Sequence, residues 1–151
     1  MKPFKIIAEI GSTHDGNIKI AIKSIKAAAK AGADIIKFQM HIAEEETLKN
    51  APNPPYFKKE KRFDYFKRTQ FSFENWKTIM SECKKNKVEF LCSPFSIKAV
   101  EILEKLNTKA YKVASGEITN LPLLEVINKT KKFVFLSSGM SNYKELNNAI
   151  N

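Results

Sequence analysis

Lys112 interrupts an apolar, β-branched run, and the stretch YKVASGE (111–117) around it closes with Ser115, Gly116 and Glu117. An ammonium, a hydroxyl, an unhindered backbone amide and a carboxylate this close together can hold an anion and still leave a group to move a proton. Comparable sets close four other β-rich runs: Glu9 near the end of 5–11, Lys37 and Gln39 in 34–40, Ser93 at the end of 88–93, and Ser137 with Ser138 and Gly139 at the end of 132–137 and just beyond it. Two lysines and several hydroxyls beside glycine turns suit a doubly anionic ligand, because ammonium groups pair with phosphate or carboxylate and backbone N–H groups add donors. On that reading Lys112 and Ser115 hold phosphate, and Glu117 is left as a base, an acid or a support. Ordinary capping is the competing account, since Ser93 before Pro94 and Ser141 before NYKEL can each start a helix with no ligand.

These side chains act together only if the chain carries them to one rim. Between the β-rich runs lie helical patterns: Ile18, Ala21, Ile22, Ile25, Ala28 and Ala29 with a stop near Gly32; Trp76, Ile79, Met80 and Cys83 after a cap at Ser72; Ala99, Val100, Leu103 and Leu106; Leu123, Leu124 and Ile127 after Pro122; and a fifth from about 142,. Strand and helix in alternation predict parallel strands joined by crossover helices. Two α/β architectures fit: a doubly wound open sheet, and the first five β/α units of a TIM-type (β/α)8 barrel. Strand alternation favours the partial barrel, because a helix-covered face would not accept Glu9, Lys37 and Lys112, whereas a common interior would. The C-terminal ends of parallel strands are also where such folds bind substrates. Residues 41–71, rich in Pro, Asn, Lys and aromatics, read as a long connection serving as a lid, a partner contact or a plain insertion.

Composition narrows the class. At 151 residues the chain is read as a single domain, 1–151, with 43% hydrophobic and 28% charged residues,. No apolar run reaches the ~20 residues of a membrane span and no signal-peptide cleavage site is visible, so the expectation is cytoplasmic, with no membrane partner. The net charge of +10 raises nucleic-acid binding, with FKKEKR (57–62) as its best patch,. Yet all but two of the 26 basic residues are lysines spread over every segment, so no nucleic acid is expected,. Cys83 and Cys92 have no metal-ligand or disulfide pattern and read as buried or idle thiols; His14 and His41 have no second histidine at ligand spacing, so no metal is assigned to this chain,. His14, just after the first strand, is placed where it would contact substrate, and Glu44, Glu45 and Glu46 read as a solvated acidic face.

IIAEIGSTHDG, AGADIIKFQMH, FLCSPFS, YKVASGE and FLSSGMS, in this order and spacing, resemble the sialic acid synthase family: the phosphoenolpyruvate-dependent N-acetylneuraminate synthases and their legionaminate and pseudaminate relatives. The resemblance covers nearly the whole chain. It implies a (β/α)8 barrel followed by a small antifreeze-like domain, and an enzyme of sialic acid biosynthesis that condenses phosphoenolpyruvate with an N-acylated hexosamine such as N-acetylmannosamine, releasing phosphate. By the same resemblance Lys37 and Ser93 hold the carboxylate, Lys112, Ser115 and Ser137 the phosphate, and Glu9 and Gln39 the sugar. Glu117 lies near the reacting carbons as the proton-handling group. Gly116, Ser138 and His14 complete the expected contacts.

Departures from the family pattern are Thr13, Met40 and Ser93; they bear on sugar choice more than on phosphoenolpyruvate. The family's divalent cation, manganese or magnesium, is held by histidines on later strands that this sequence does not contain. The expectation is therefore the N-terminal part of a synthase, incomplete and inactive alone, with a homodimer or a complementing C-terminal chain as its candidate partner. The alternatives are an anion-binding or regulatory half-barrel, and, less favoured, a basic nucleic-acid module.

Overall fold

Five parallel strands form one sheet in chain order: β1 (Ile7–Gly11), β2 (Ile35–Met40), β3 (Glu89–Pro94), β4 (Ala110–Val113) and β5 (Phe133–Leu136). The computed structural model describes residues 4–55, 57 and 59–151. A doubly wound sheet reverses its strand order at a switch point. This sheet never reverses, which is the order of a barrel wall, and the partial (β/α) barrel is the architecture observed.

Five helices fill the crossovers and the end of the chain: α1 (Ile18–Lys30), α4 (Phe73–Lys85), α5 (Ile97–Lys105), α6 (Leu121–Lys129) and α7 (Tyr143–Ile150). The other two, α2 (Ala43–Glu46) and α3 (Arg62–Thr69), lie in 41–71. That segment, read from the sequence as a long connection, thus carries two helices of its own. Phe66 and Phe71 dock on His41 and His14, and these contacts hold it against the strand ends.

Helix starts follow side-chain oxygens that accept otherwise orphaned N–H groups. Asn17 accepts from Lys19 and Ile20, Ser72 from Asn75, and Asn120 from Leu123, with Pro122 in the first turn. Two expected caps are displaced. Ser96, not Ser93, caps α5, because Ser93 is still on β3; Asn142, not Ser141, caps α7 in a reciprocal box with Glu145. After α1 the chain turns through Gly32 at φ +94°, a backbone state that suits glycine,.

The strand alternation divides the sheet into two environments. Ile36, Phe38 and Met40 on β2, with Cys92, Tyr111 and Val113, are buried beneath Ala21, Ile25, Trp76, Ile79, Val100, Leu103, Leu123 and Ile127 of the helices. Truncating a residue such as Phe38 there costs about 3–5 kcal/mol. The opposite face carries Glu9, Lys37, Gln39 and Lys112, in register as Glu9↔Lys37↔Leu91 and Gln39↔Ser93. Lys112 lies opposite Phe135. Both cysteines are buried, and burial pushes the Cys83 thiol up to about 12 and that of Cys92 up as well, which suits packing rather than nucleophilic chemistry,.

Candidate active site

β1 ends in a bulge between Glu9 and Gly11, and Gly11 sits at φ +54°. A Cβ on Gly11 would come within 3.1 Å of Glu9 Oε1 and 3.2 Å of Gln39 Oε1, so its bareness makes room for those two side chains,. Lys37 Nζ lies 2.5 Å from Glu9 Oε2 and 3.4 Å from Ser93 Oγ. Its side chain is 11% exposed, against 51% for Glu9, so the ammonium is held inside while the carboxylate reaches the opening. Ser12 adds a long contact to Gln39 Oε1 at 3.5 Å.

Lys112 forms the second half. Its Nζ donates to Ser137 Oγ at 2.5 Å and to the Val113 carbonyl at 2.7 Å. Burial, followed by the charge of Lys37, lowers the Lys112 pKa, while Glu9 opposes the shift,. Lys112 thus feels both members of the Lys37–Glu9 pair, and two ammonium groups share one strand-end field. An incoming dianion would relieve that like-charge strain.

The other expected residues are placed less uniformly. Ser115, Gly116 and Glu117 form a 3-10 turn after β4, so the strand ends at Val113 rather than at Ser115. Glu117 accepts from Asn120 Nδ2 at 2.8 Å, which ties its carboxylate to the start of α6. Ser138 and Gly139 are exposed beyond β5. His14 is not open to the rim: it is 1% exposed, stacks on Phe71 with ring centroids 4.2 Å apart, and accepts from the Gly16 N–H at 3.1 Å. Burial lowers its pKa to about 4, so it is neutral packing at neutral pH.

Three features escaped the sequence reading. His41 Nδ1 meets Glu46 Oε2 at 2.7 Å, so Glu46 is not part of a solvated acidic face, although Glu44 and Glu45 are exposed. Arg68 bridges Asp15 and Glu60, which takes part of the 57–62 patch into an ion pair; Lys58 of that patch and Tyr56 of the preceding aromatic run lie outside the described residues. Gly11 opens the rim. His41 alone had a sequence signal, since it continues the inward series Ile35, Lys37, Gln39,.

A sizeable hollow lies elsewhere. A cavity of about 920 Å³ lies toward the strand entry end, lined in part by Lys5, Ile35, Glu89, Leu91, Phe133 and Phe135. It contains none of the charged strand-end residues, so chemistry rather than volume marks the rim. Among the described residues no group of three or more His, Cys, Asp or Glu is placed to hold a metal ion, so the donor set present does not fit a divalent cation.

Residues 24–151 match the family described as the NeuB family. The chain belongs to the NeuB family. Curated relatives of this NeuB chain include the N,N'-diacetyllegionaminic acid synthase of Campylobacter jejuni, 37% identical over 100% of this chain and 47% of that protein. The N-acetylneuraminate-9-phosphate synthase of Mus musculus is 37% identical over 91% of this chain and 40% of its own length. Among solved structures, the N-acetylneuraminic acid synthetase of Leptospira borgpetersenii in complex with citrate superposes with a TM-score of 0.84 at 28% identity, covering 99% of this chain and 49% of that one. A truncated 3-deoxy-D-arabino-heptulosonate 7-phosphate synthase from Thermotoga maritima, at 9% identity and a TM-score of 0.65, shares the fold alone. The NeuB chain thus spans about half the length of the relatives it matches.

Proposed function

We propose that this chain forms the phosphoenolpyruvate-binding wall of a nonulosonic acid synthase, which joins phosphoenolpyruvate to an N-acylated hexosamine such as N-acetylmannosamine. Lys37 and Ser93 hold the carboxylate; Lys112, Ser137 and Ser115 hold the phosphate, with the Gly116 amide and Ser138 at its edge. Glu9 and Gln39 take sugar hydroxyls. The one observation that carries this reading is the convergence of Lys37 and Lys112, each with a serine partner, on one strand-end field.

In the reaction the methylene carbon of the enol forms a C–C bond with the open-chain aldehyde carbon, and the aldehyde oxygen takes a proton. Water adds to the former enol carbon, and the C–O bond to phosphate then breaks, leaving a 2-keto acid. Fixed ammonium groups orient the enol ester and offset its charge as positive charge develops at that carbon. Glu117 accepts the proton of the water. No step is routed through a metal ion, because the residues present do not fit one. Turnover needs the remaining strands of the barrel as well as this wall; the setting is the cytoplasm.

Titration of the chain with phosphoenolpyruvate, read by calorimetry beside pyruvate, tests the pocket. Saturation by phosphoenolpyruvate with far weaker pyruvate binding is expected, and no saturable binding removes the reading. A second reading is an anion-binding half-barrel without turnover, in which the same two lysine–serine pairs hold the anion. Phosphate release in the presence of the remaining barrel strands separates the two.

A further inference from the structure

His41 is held on three sides. Phe66 of α3 stacks on one face with centroids 4.1 Å apart and planes 8° from parallel, and Phe95 stacks at 4.2 Å and 18°. The β2–β3 register explains the second contact: Gln39 lies opposite Ser93 and Met40 opposite Pro94, so His41 and Phe95 form the next layer above the Gln39–Ser93 layer of the rim. The Nδ1 edge is taken by Glu46 Oε2, while Glu46 Oε1 accepts the Ile42 N–H at 2.5 Å. With both carboxylate oxygens placed as acceptors, Nδ1 carries a proton, and in the neutral tautomer this makes Nε2 the acceptor,. Among the described residues Nε2 has no hydrogen-bond partner. The side chain is 9% exposed.

We propose that His41 is a further ligand-contacting residue, whose Nε2 accepts a hydrogen bond from a hydroxyl of the amino-sugar substrate. The proposal rests on the reading of this rim as the synthase site. A rigid ring, locked by two aromatic faces and a carboxylate, offers one directed acceptor at little entropic cost. A sugar hydroxyl is the donor that matches it; a carboxylate or phosphate, having only acceptors, does not. Glu46 fixes the tautomer, and α3 reaches the rim through Phe66.

The test uses the whole chain labelled with 15N, in which His14 and His41 are the two histidines. Side-chain nitrogen resonances are followed during titration with N-acetylmannosamine, with and without phosphoenolpyruvate. His41 Nε2 is expected to move while His14 does not. His41→Phe, which keeps the aromatic stack, is expected to weaken sugar binding by about tenfold or more and to leave phosphoenolpyruvate affinity unchanged. Glu46→Gln, whose amide donates to Nδ1 and shifts the ring proton to Nε2, should do the same without deleting the ring. Unmoved His41 resonances in the unsubstituted chain, or unchanged sugar affinity in both variants, overturn the proposal. Failure of phosphoenolpyruvate to bind would instead strike the anion pocket, and the titration with sugar alone still decides His41.

Discussion

Lys112 and Ser137 meet across the ends of adjacent strands, Nζ donating to Oγ at 2.5 Å. The contact follows from register: Lys112 lies opposite Phe135, and Ser137 is the next residue on the same face, its N–H carrying the ladder one step past β5 to the Val113 carbonyl at 3.2 Å. The strand end thereby presents a half-desolvated ammonium with a hydroxyl beside it.

Replacing Lys112 with Ala should raise the dissociation constant for phosphoenolpyruvate about 10- to 100-fold, the worth of a hydrogen bond to a charged group. Lys77, paired with Glu74 on the exposed side of α4, is the control and should change affinity by less than about twofold,. Calorimetry on both variants decides; equal effects would take the phosphate away from this rim.

The same affinity should depend on alkaline pH. Burial and then Lys37 hold the Lys112 ammonium below its ordinary value of 10.5. A bound phosphate favours the charged form, so binding takes up a proton wherever free Lys112 has lost one. Affinity is then full below the depressed value and falls as pH rises through it, over a range that lies below the ordinary value of 10.5,. Affinity that stays flat across that range contradicts the coupling.

His14 should make the fold acid-sensitive. Its folded pKa of about 4 lies below the unfolded value of 6.5, so the unfolded chain binds the extra proton between those limits. The stability present above pH 6.5 is lost progressively as pH falls toward 4, on the order of 2 kcal/mol in all,. His14→Phe, which keeps the stack on Phe71, should flatten this part of the urea-midpoint profile. A variant with the native slope would place the sensitivity elsewhere.

Gly16 locks the loop after β1 to the end of α3. A Cβ there would lie 2.2 Å from the Arg68 carbonyl, and its φ is +76°. Gly16→Ala should cost about 2–4 kcal/mol and speed proteolysis within 43–71, because the clashing atom is backbone and cannot swing aside. Native protection of that segment would show that Asp15–Arg68 and His14–Phe71 hold it unaided.

The sequence by itself determined the five β/α units and the face shared by Glu9, Lys37 and Lys112, because side-chain periods of two and 3.6 residues are local properties that survive without any knowledge of neighbours. It did not determine which nearby serine caps a helix, since Ser93 and Ser96 differ only in whether the backbone has already left β3. Nor did it choose between an open sheet and a barrel wall beyond a leaning, which the unreversed strand order settles. Tertiary structure alone buried His14 and enclosed His41 between Phe66 and Phe95. Those outcomes depend on partners from separate segments, and a pairwise contact of that kind leaves no period in the chain for a reader to find.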